Sequence, residues 1–280
     1  MKTLFSIGSI HIQLFGVMIA VGIVVGFYIL SLEVKRKALD DNKITDLAIY
    51  TVLIGILGAR INYIIAFNPS YYIANPLEII MLQKGGLSIQ GGLIAGILFA
   101  LWYVKKKAIP LGKTADAFAP AVIIGQAIGR VGCDVFGVAM SKPWFWGVQV
   151  EGQLLHPAQI YEAVLNYILF FVLWQKRKSI KYNGELFIYY LVGFSINRFL
   201  VEFARSNPII FGPITIAHVY SLVLIAGAFI LGLWFKSRGD SDRELLSNEI
   251  NITTFEKKSF LIILTATIIS IIFYYFIHSI

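Results

Sequence analysis

Long runs of apolar residues dominate this sequence and restrict its fold more than any other feature. Roughly 20 apolar residues in a helix cross the hydrocarbon core of a bilayer, so each such run is a candidate transmembrane helix. Hydrophobic residues make up 58% of the chain and charged residues only 14%, whereas soluble domains carry about 25% charged residues. We predict an all-α polytopic membrane protein with spans at 10–32, 46–67, 86–104, 115–133, 158–174, 184–204, 214–235 and 259–278.

Two of these spans, 86–104 and 115–133, are rich in glycine and alanine. Such a composition is compatible with tilted, broken or re-entrant segments, which occur only where the backbone lines a cavity or is buried in protein. The longest polar stretch is too short to bury a core of its own. We therefore predict a membrane-embedded domain at 1–236, a cytoplasmic polar linker at 237–258 and an additional transmembrane helix in 259–280.

Most of the 24 lysines and arginines lie in alternate loops, after the first, third, fifth and seventh spans. Loops rich in Lys and Arg stay in the cytoplasm, so the pattern places the N-terminus and the loops 68–85, 134–157 and 205–213 outside. We interpret the clusters as topology signals that also contact anionic lipid head groups, and not as sites for nucleic acid. They are Lys35, Arg36, Lys37 and Lys43; Lys105, Lys106, Lys107 and Lys113; Lys176, Arg177, Lys178 and Lys181; and Lys236, Arg238, Arg243, Lys257 and Lys258.

A smaller set of charges lies inside the apolar spans or at their ends. A charge at the bilayer centre costs at least about 2.5–3.5 kcal/mol, so these side chains are expected to pair or to line a wet cavity. A functional site is the first interpretation, and an ion-pair ladder that only fixes helix packing is the alternative. The residues are Arg60, Arg130, Glu162, Arg198, Glu202 and Arg205.

The sixth span carries the clearest pattern of these charges. Arg198, Glu202 and Arg205 are spaced four and three residues apart, which places them on one face of a helix. Arginine stays charged and binds phosphate through two parallel hydrogen bonds. The spacing therefore favours an anion site in which Glu202 holds an arginine in place.

Small residues surround the arginine at the end of the fourth span. Gly129 and Gly132 flank Arg130, and small residues let helices approach closely or leave room for a bulky ligand. Asp134 lies four residues after Arg130 and is predicted to pair with it. Cys133 is more simply interpreted as a small packing residue than as a nucleophile.

Polar residues cluster again where the fifth and third spans begin. His156, Gln159, Tyr161 and Glu162 lie within one short segment, and a histidine beside charged groups is a candidate for proton transfer. A solvated interfacial histidine is the alternative. In the third span, Gln90 and the neighbouring Ser88 offer neutral hydrogen-bonding groups.

Several chemistries have no support in the sequence. The single cysteine excludes an internal disulfide, and no Cys/His spacing indicates a zinc or iron–sulfur site. A glycine-rich nucleotide loop with its lysine is also missing. We therefore expect neither a metal nor a cofactor.

Together these segments resemble the prolipoprotein diacylglyceryl transferase family over about residues 10–235. The resemblance implies a fold of seven transmembrane helices, to which the eighth span is an addition, and an active cavity on the outer side of the bacterial plasma membrane. It also implies transfer of a diacylglyceryl group from phosphatidylglycerol to the cysteine thiol of a prolipoprotein signal peptide, with release of glycerol phosphate. The matching motifs are GARINYIIAFNPSYYIANPLEII at 58–80, GGLSIQGG at 85–92, GRVGC at 129–133, HPAQIYE at 156–162 and NRFLVEFAR at 197–205.

The resemblance also implies roles for individual residues. Arg130 and Arg198 would hold the phosphate, Glu202 would orient Arg198, and His156 or an ordered water would take the thiol proton. The remaining residues expected to contact substrate are Arg60, Gln90, Gly129, Gly132, Asp134, Gln159, Tyr161, Glu162 and Arg205.

Four positions depart from the family pattern. Gln90 and Cys133 stand where the family commonly has His and Asn, a common acidic residue falls near Val138, and Phe15 stands where the first helix commonly has an aromatic hydroxyl. These departures leave a second hypothesis open, in which the same cavity binds or transports a phospholipid or small anion without transfer. A purely structural membrane subunit is a third.

Overall fold

The computed structural model describes residues 2–7, 10–82, 85–238 and 254–279. Helices account for most of these residues, and the short strands lie on one side only, whereas turns connect helices on both sides. In chain order the helices are α1 (Leu14–Arg36), α2 (Asp41–Phe67), α3 (Pro69–Ala74), α4 (Ile89–Lys106), α5 (Leu111–Val131), α6 (Ala158–Lys176), α7 (Glu185–Glu202), α8 (Ile216–Arg238) and α9 (Thr254–Ser279).

Each predicted span coincides with one long helix, so the all-α polytopic prediction is confirmed. Among the described residues, four helical stretches are long and apolar enough to cross a membrane: Leu14–Arg36, Asp41–Phe67, Ile216–Ser237 and Ser259–His278. The glycine-rich spans form continuous helices, α4 and α5, and α5 accommodates Pro120 in its interior. Most of the polar linker predicted at 237–258 lies outside the described residues, and the domain boundaries remain predictions.

Three short antiparallel hairpins lie at the ends of helices opposite the lysine-rich loops. They pair β1 (Thr3–Ile7) with β2 (Ile10–Gln13), β3 (Val148–Val150) with β4 (Gln153–Leu155), and β5 (Ile209–Phe211) with β6 (Ile214–Thr215). The predicted first span began too early, because residues 10–13 form β2 and α1 starts at Leu14. We call this side of the bundle the site end and the lysine-rich side the basic end.

Glycines bring the long helices close together in pairs. A Cβ atom added to Gly91 of α4 would lie 2.4 Å from the carbonyl oxygen of Gly58 in α2, and one added to Gly22 of α1 would lie 2.7 Å from that of Gly125 in α5. Small residues at these crossings let the backbones pack directly. The result is an α1–α5 pair and an α2–α4 pair, with α6 and α7 against α5, α8 against α7, and α9 against α6 and α5.

Two arginines at the basic end are buried ion-pair partners. Arg36 Nη2 lies 2.7 Å from Glu33 Oε2, and Arg177 Nε lies 3.1 Å from Glu33 Oε1, with all three side chains almost fully buried. The sequence analysis assigned both arginines to loops in contact with lipid head groups. That assignment is wrong for these two, because both are buried and pair with the Glu33 carboxylate, which would be costly to bury without a counter-charge.

Lys37 is a second correction of the same kind. Its ammonium lies 3.4 Å from Asp116 of α5, and neither side chain is exposed. The Asp116 carboxylate also accepts hydrogen bonds from the backbone N–H groups of Gly184 and Phe187, at 2.9 and 3.0 Å. An acidic side chain at these N–H groups is favourable at a helix N-terminus. Asp116 therefore fixes the start of α7 against α5.

Candidate active site

The buried charges of α5, α6 and α7 meet at the site end. Arg130 in the last turn of α5 lies 2.9 Å from Glu162, one turn into α6. The other oxygen of Glu162 lies 3.9 Å from Arg198 of α7. Arg198 in turn lies 2.9 Å from Glu202. Three helices thus contribute to one continuous line of alternating charges.

Glu202 is the most heavily engaged carboxylate of this line. Besides Arg198, its Oε2 lies 3.8 Å from Arg205 Nε. Its Oε1 accepts hydrogen bonds from the Thr215 hydroxyl at 2.6 Å and the Asn207 amide at 2.7 Å. The sequence analysis did not identify Thr215 or Asn207. Both lie in the hairpin region after α7, and nothing in their local pattern indicates that this segment folds back onto Glu202.

Several arginine donors in this line have no hydrogen-bond acceptor. Glu162 Oε2 and Glu202 Oε2 are buried without a hydrogen-bond partner in the described part of the chain, and so are the donors Arg198 Nη1 and both Nε and Nη1 of Arg205. Their distances to the glutamates, 3.8 Å and more, are too long for hydrogen bonds. Buried donors left in this state are costly. They fit an acceptor-rich anion that would complete their hydrogen bonding.

The charges of the line also favour an anion. Three arginines face two glutamates, which leaves one positive charge in excess. The carboxylates are almost fully buried, whereas the Arg130 and Arg198 side chains retain 28% and 21% of their exposure. Arg205 lies beyond the end of α7, and burial together with the charges of Arg198 and Arg130 lowers its pKa. A monoanion such as a phosphodiester would relieve that repulsion.

A short extended segment brings the loops of the site together. Gly137 pairs with Arg205 and Ala139 with Leu155. Val138 donates its N–H to Ala204 O at 2.9 Å, and Gly137 donates its N–H to His156 O at 2.8 Å. The segment after α5 is therefore held between the strand that precedes α6 and the chain that leaves α7. This pairing places His156 and Arg205 on either side of one backbone.

The polar side chains of the HPAQIYE motif have three separate sets of partners. Glu162 faces the arginines, as described above. His156 Nδ1 lies 3.1 Å from the Tyr161 hydroxyl, which also accepts a hydrogen bond from the Trp146 indole at 3.0 Å. Gln159 is fully buried and bonds to the Tyr274 hydroxyl of α9 at 2.6 Å. The histidine is thus oriented by a tyrosine rather than left in solvent.

Two other residues predicted to contact substrate are engaged elsewhere. Arg60 donates to the carbonyl oxygens of Ile79, Gly85, Gly86 and Glu78, and so fixes the segment before α4. Gln90 is exposed and accepts a hydrogen bond from Ser88 at 2.9 Å. Neither makes a described contact with the three arginines.

The predicted pair between Asp134 and Arg130 is a further correction. Asp134 accepts a hydrogen bond from the Lys2 N–H at 2.6 Å and lies 3.4 Å from His278. The helical spacing does not apply to it, because α5 ends at Val131. Arg130 contacts Glu162 and, at 3.9 Å, the Cys133 sulfur.

The two signature glycines differ in their surroundings. A Cβ atom on Gly132 would lie 2.7 Å from Met18 of α1, whereas one on Gly129 would lie 3.9 Å from its nearest neighbour. Gly132 is therefore needed for the close approach of α5 to α1. A Cβ atom on Gly129 would make only an ordinary van der Waals contact with Ile19 of α1, so helix packing does not require glycine there.

Comparison with known proteins agrees with this geometry. The family model described as prolipoprotein diacylglyceryl transferase matches residues 2–234. The chain belongs to the prolipoprotein diacylglyceryl transferase family. It is 34% identical over 245 residues to a relative from Clostridioides difficile strain 630, a match that covers 86% of this chain and 98% of the relative. That relative is named phosphatidylglycerol–prolipoprotein diacylglyceryl transferase.

Two Bacillus relatives of the same name extend the comparison. The chain is 31% identical over 261 residues to that of Bacillus cereus strain B4264, covering 88% of this chain and 96% of the relative. It is 32% identical over 254 residues to that of Bacillus cytotoxicus, covering 86% and 94%. The family match contains Arg130, Glu162, Arg198, Glu202 and Arg205, and it ends before α9 begins.

Proposed function

We propose that this protein transfers a diacylglyceryl group from phosphatidylglycerol to the lipobox cysteine thiol of prolipoproteins and releases glycerol phosphate. The observation that carries the proposal is the set of buried arginine donors without acceptors, in a cluster with one excess positive charge. A phosphodiester supplies acceptor oxygens and one negative charge. The relatives' names and the family membership agree with this substrate.

The reaction forms a carbon–sulfur bond as the carbon–oxygen bond to the phosphate breaks. Negative charge develops on the departing phosphate, and fixed guanidinium donors stabilise such charge best when they are already in place. Arg198 and Arg205 would bind the phosphate oxygens, with Glu202 holding both. Arg130, supported by Glu162, would bind from α5. The buried carboxylates thus act by positioning the arginines.

The attacking thiol must lose its proton to become nucleophilic. His156 is the candidate acceptor for that proton, since its imidazole is oriented by Tyr161 and lies in the segment paired with Gly137. An ordered water is the alternative. The Lys and Arg pattern supports a multi-pass protein of the bacterial plasma membrane whose active site lies toward the outer face.

The second hypothesis, lipid or anion binding without transfer, starts from the replaced family histidine at Gln90. In the structure Gln90 is exposed and bonded to Ser88, and the names of the relatives do not favour this hypothesis.

A transfer assay tests the proposal directly. The full chain, expressed in bacteria depleted of their own transferase, should attach a labelled glycerolipid to a prolipoprotein. Arg198→Ala should abolish the transfer. Lys35→Ala, which changes an exposed residue at the basic end, should retain it. An abundant, correctly inserted full chain that modifies no prolipoprotein would contradict the proposal.

A further inference from the structure

The last two turns of α9 touch the site from outside the part of the chain that defines the family. Tyr274, fully buried, bonds to Gln159 at 2.6 Å. The next residue, Tyr275, donates its hydroxyl hydrogen bond to Trp146 O at 2.6 Å. His278 lies 3.4 Å from Asp134. One end of one helix therefore reaches three segments that surround the arginine line.

Two of these contacts converge on the HPAQIYE motif. Gln159 precedes Glu162 by three residues in α6, so both side chains lie on neighbouring positions of one helix face. Trp146 donates to the Tyr161 hydroxyl, which in turn contacts His156. Tyr274 therefore links α9 to Gln159, which lies next to Glu162, the partner of Arg130. Tyr275 links α9 to Trp146, which supports the Tyr161 that contacts His156.

The Gln159 amide depends on α9 for its orientation. It is fully buried, and its amide oxygen has no hydrogen-bond partner in the described part of the chain. Tyr274 therefore supplies the side-chain hydrogen bond that holds it. A second bond nearer the middle of the bilayer, between Ser270 and Tyr167 at 2.8 Å, fixes the register of α9 on α6.

We propose that α9 is a positioning element of the lipid-donor site, in which Tyr274 orients Gln159 and thereby the face of α6 that presents Glu162 to Arg130. This inference rests on the proposed function for the identity of the lipid, phosphatidylglycerol. It gives α9, which the family match does not include, a role in positioning site residues. Tyr274 acts through another residue and does not touch the reacting atoms.

The test compares Tyr274→Phe with a matched control in the full chain reconstituted in nanodiscs. Tyr28→Phe makes the same chemical change on α1, where the side chain is 56% exposed. Binding of headgroup-labelled phosphatidylglycerol should weaken about fivefold in Tyr274→Phe, the factor expected for one buried hydrogen bond of ordinary net strength. It should not change in Tyr28→Phe.

A double-mutant cycle separates positioning from general loosening. Gln159→Leu should weaken phosphatidylglycerol binding, and adding Tyr274→Phe should then weaken it no further. The inference is overturned if Tyr274→Phe binds as the full chain does, or if it weakens the Gln159→Leu variant by the same factor.

Amide hydrogen exchange tests the role of α9 without requiring transfer activity. Residues 156–162 should exchange faster in Tyr274→Phe than in Tyr28→Phe. If the full chain binds phosphatidylglycerol without transferring it, the proposed function fails and the binding cycle still decides the role of α9. If the full chain does not bind the lipid, unchanged exchange at 156–162 overturns the inference.

Discussion

The close approach of the segments that carry His156 and Arg205 depends on Gly137. A Cβ atom there would lie 2.0 Å from Ala204 O and 3.0 Å from both the Cβ and the carbonyl oxygen of His156. Any larger residue must push apart the two segments that carry Arg205 and His156. The arrangement of the charged side chains is therefore set by a residue that has no side chain.

Gly137→Ala is expected to destabilise the protein by about 1–3 kcal/mol, the usual cost of overpacking a close contact. Thermal unfolding in detergent measures this loss. Gly227→Ala is the control, because a Cβ atom at this exposed position in α8 meets nothing within 4 Å. Equal melting temperatures for the two variants would contradict the steric argument.

At the residue scale, helical spacing predicted only those contacts that lie within one helix. Arg198 and Glu202 meet because four residues form little more than one turn of α7. The same spacing failed for Asp134, because the helix ends three residues before it. Glu162 pairs with Arg130 and with Arg198, which lie on two other helices. A single sequence carries no signal for a pair between helices.

The start of α7 illustrates how one buried side chain can fix a whole element. Asp116 of α5 neutralises Lys37 and accepts two N–H groups at the N-terminus of α7. Gly184 precedes the helix with a φ of 98°, a conformation that glycine adopts without steric cost. The position of Arg198 at the other end of α7 follows from this anchor.

Asp116→Asn should cost about 3–5 kcal/mol, because it leaves the Lys37 ammonium buried without its counter-charge. The matched control is Asp40→Asn, the same change at a half-exposed residue that caps α2. Asparagine caps a helix as well as aspartate does, so the control should unfold like the unmodified protein. A melting temperature for Asp116→Asn equal to that of the control would refute the anchor.

At the element scale, apolar run length predicted every long helix, and it missed the three hairpins. Their strands are only two to five residues long, too short to give a periodic signal distinct from the ends of the spans. The sequence also could not predict which face of α9 packs against the bundle. A helix in lipid gains little from burying apolar area against other helices. The side that contacts them is therefore decided by packing and by polar contacts such as Tyr274–Gln159.

On the scale of the whole molecule, charged groups occur at both ends of the bundle but serve different purposes. At the basic end some of them form buried ion pairs, such as Lys37–Asp116, with no exposure. At the site end the carboxylates are buried while Arg130 and Arg198 stay partly exposed. Lysine and arginine counts in loops predict which end of the bundle faces the cytoplasm. They do not predict which of those side chains are buried in ion pairs.

Labelling of introduced cysteines tests the predicted orientation. In a Cys133→Ser background, Glu151→Cys should react with a membrane-impermeant thiol reagent in intact cells. Lys107→Cys should react only after the membrane is permeabilised, because Lys-rich loops remain in the cytoplasm. Both positions are exposed in the structure, so the reverse order of labelling would overturn the orientation.

Ion pairs and hydrogen bonds hold α5, α6 and α7 at both ends of the bundle. α5 holds α7 through Asp116 at the basic end and through the Arg130–Glu162–Arg198 line at the site end. α6 is held to α1 through Arg177 and to α5 and α7 through Glu162. Sliding any one of these helices by a turn, about 5.4 Å, would break contacts at both of its ends at the same moment. Movement of one of these helices past the others therefore requires contacts at both ends to break together.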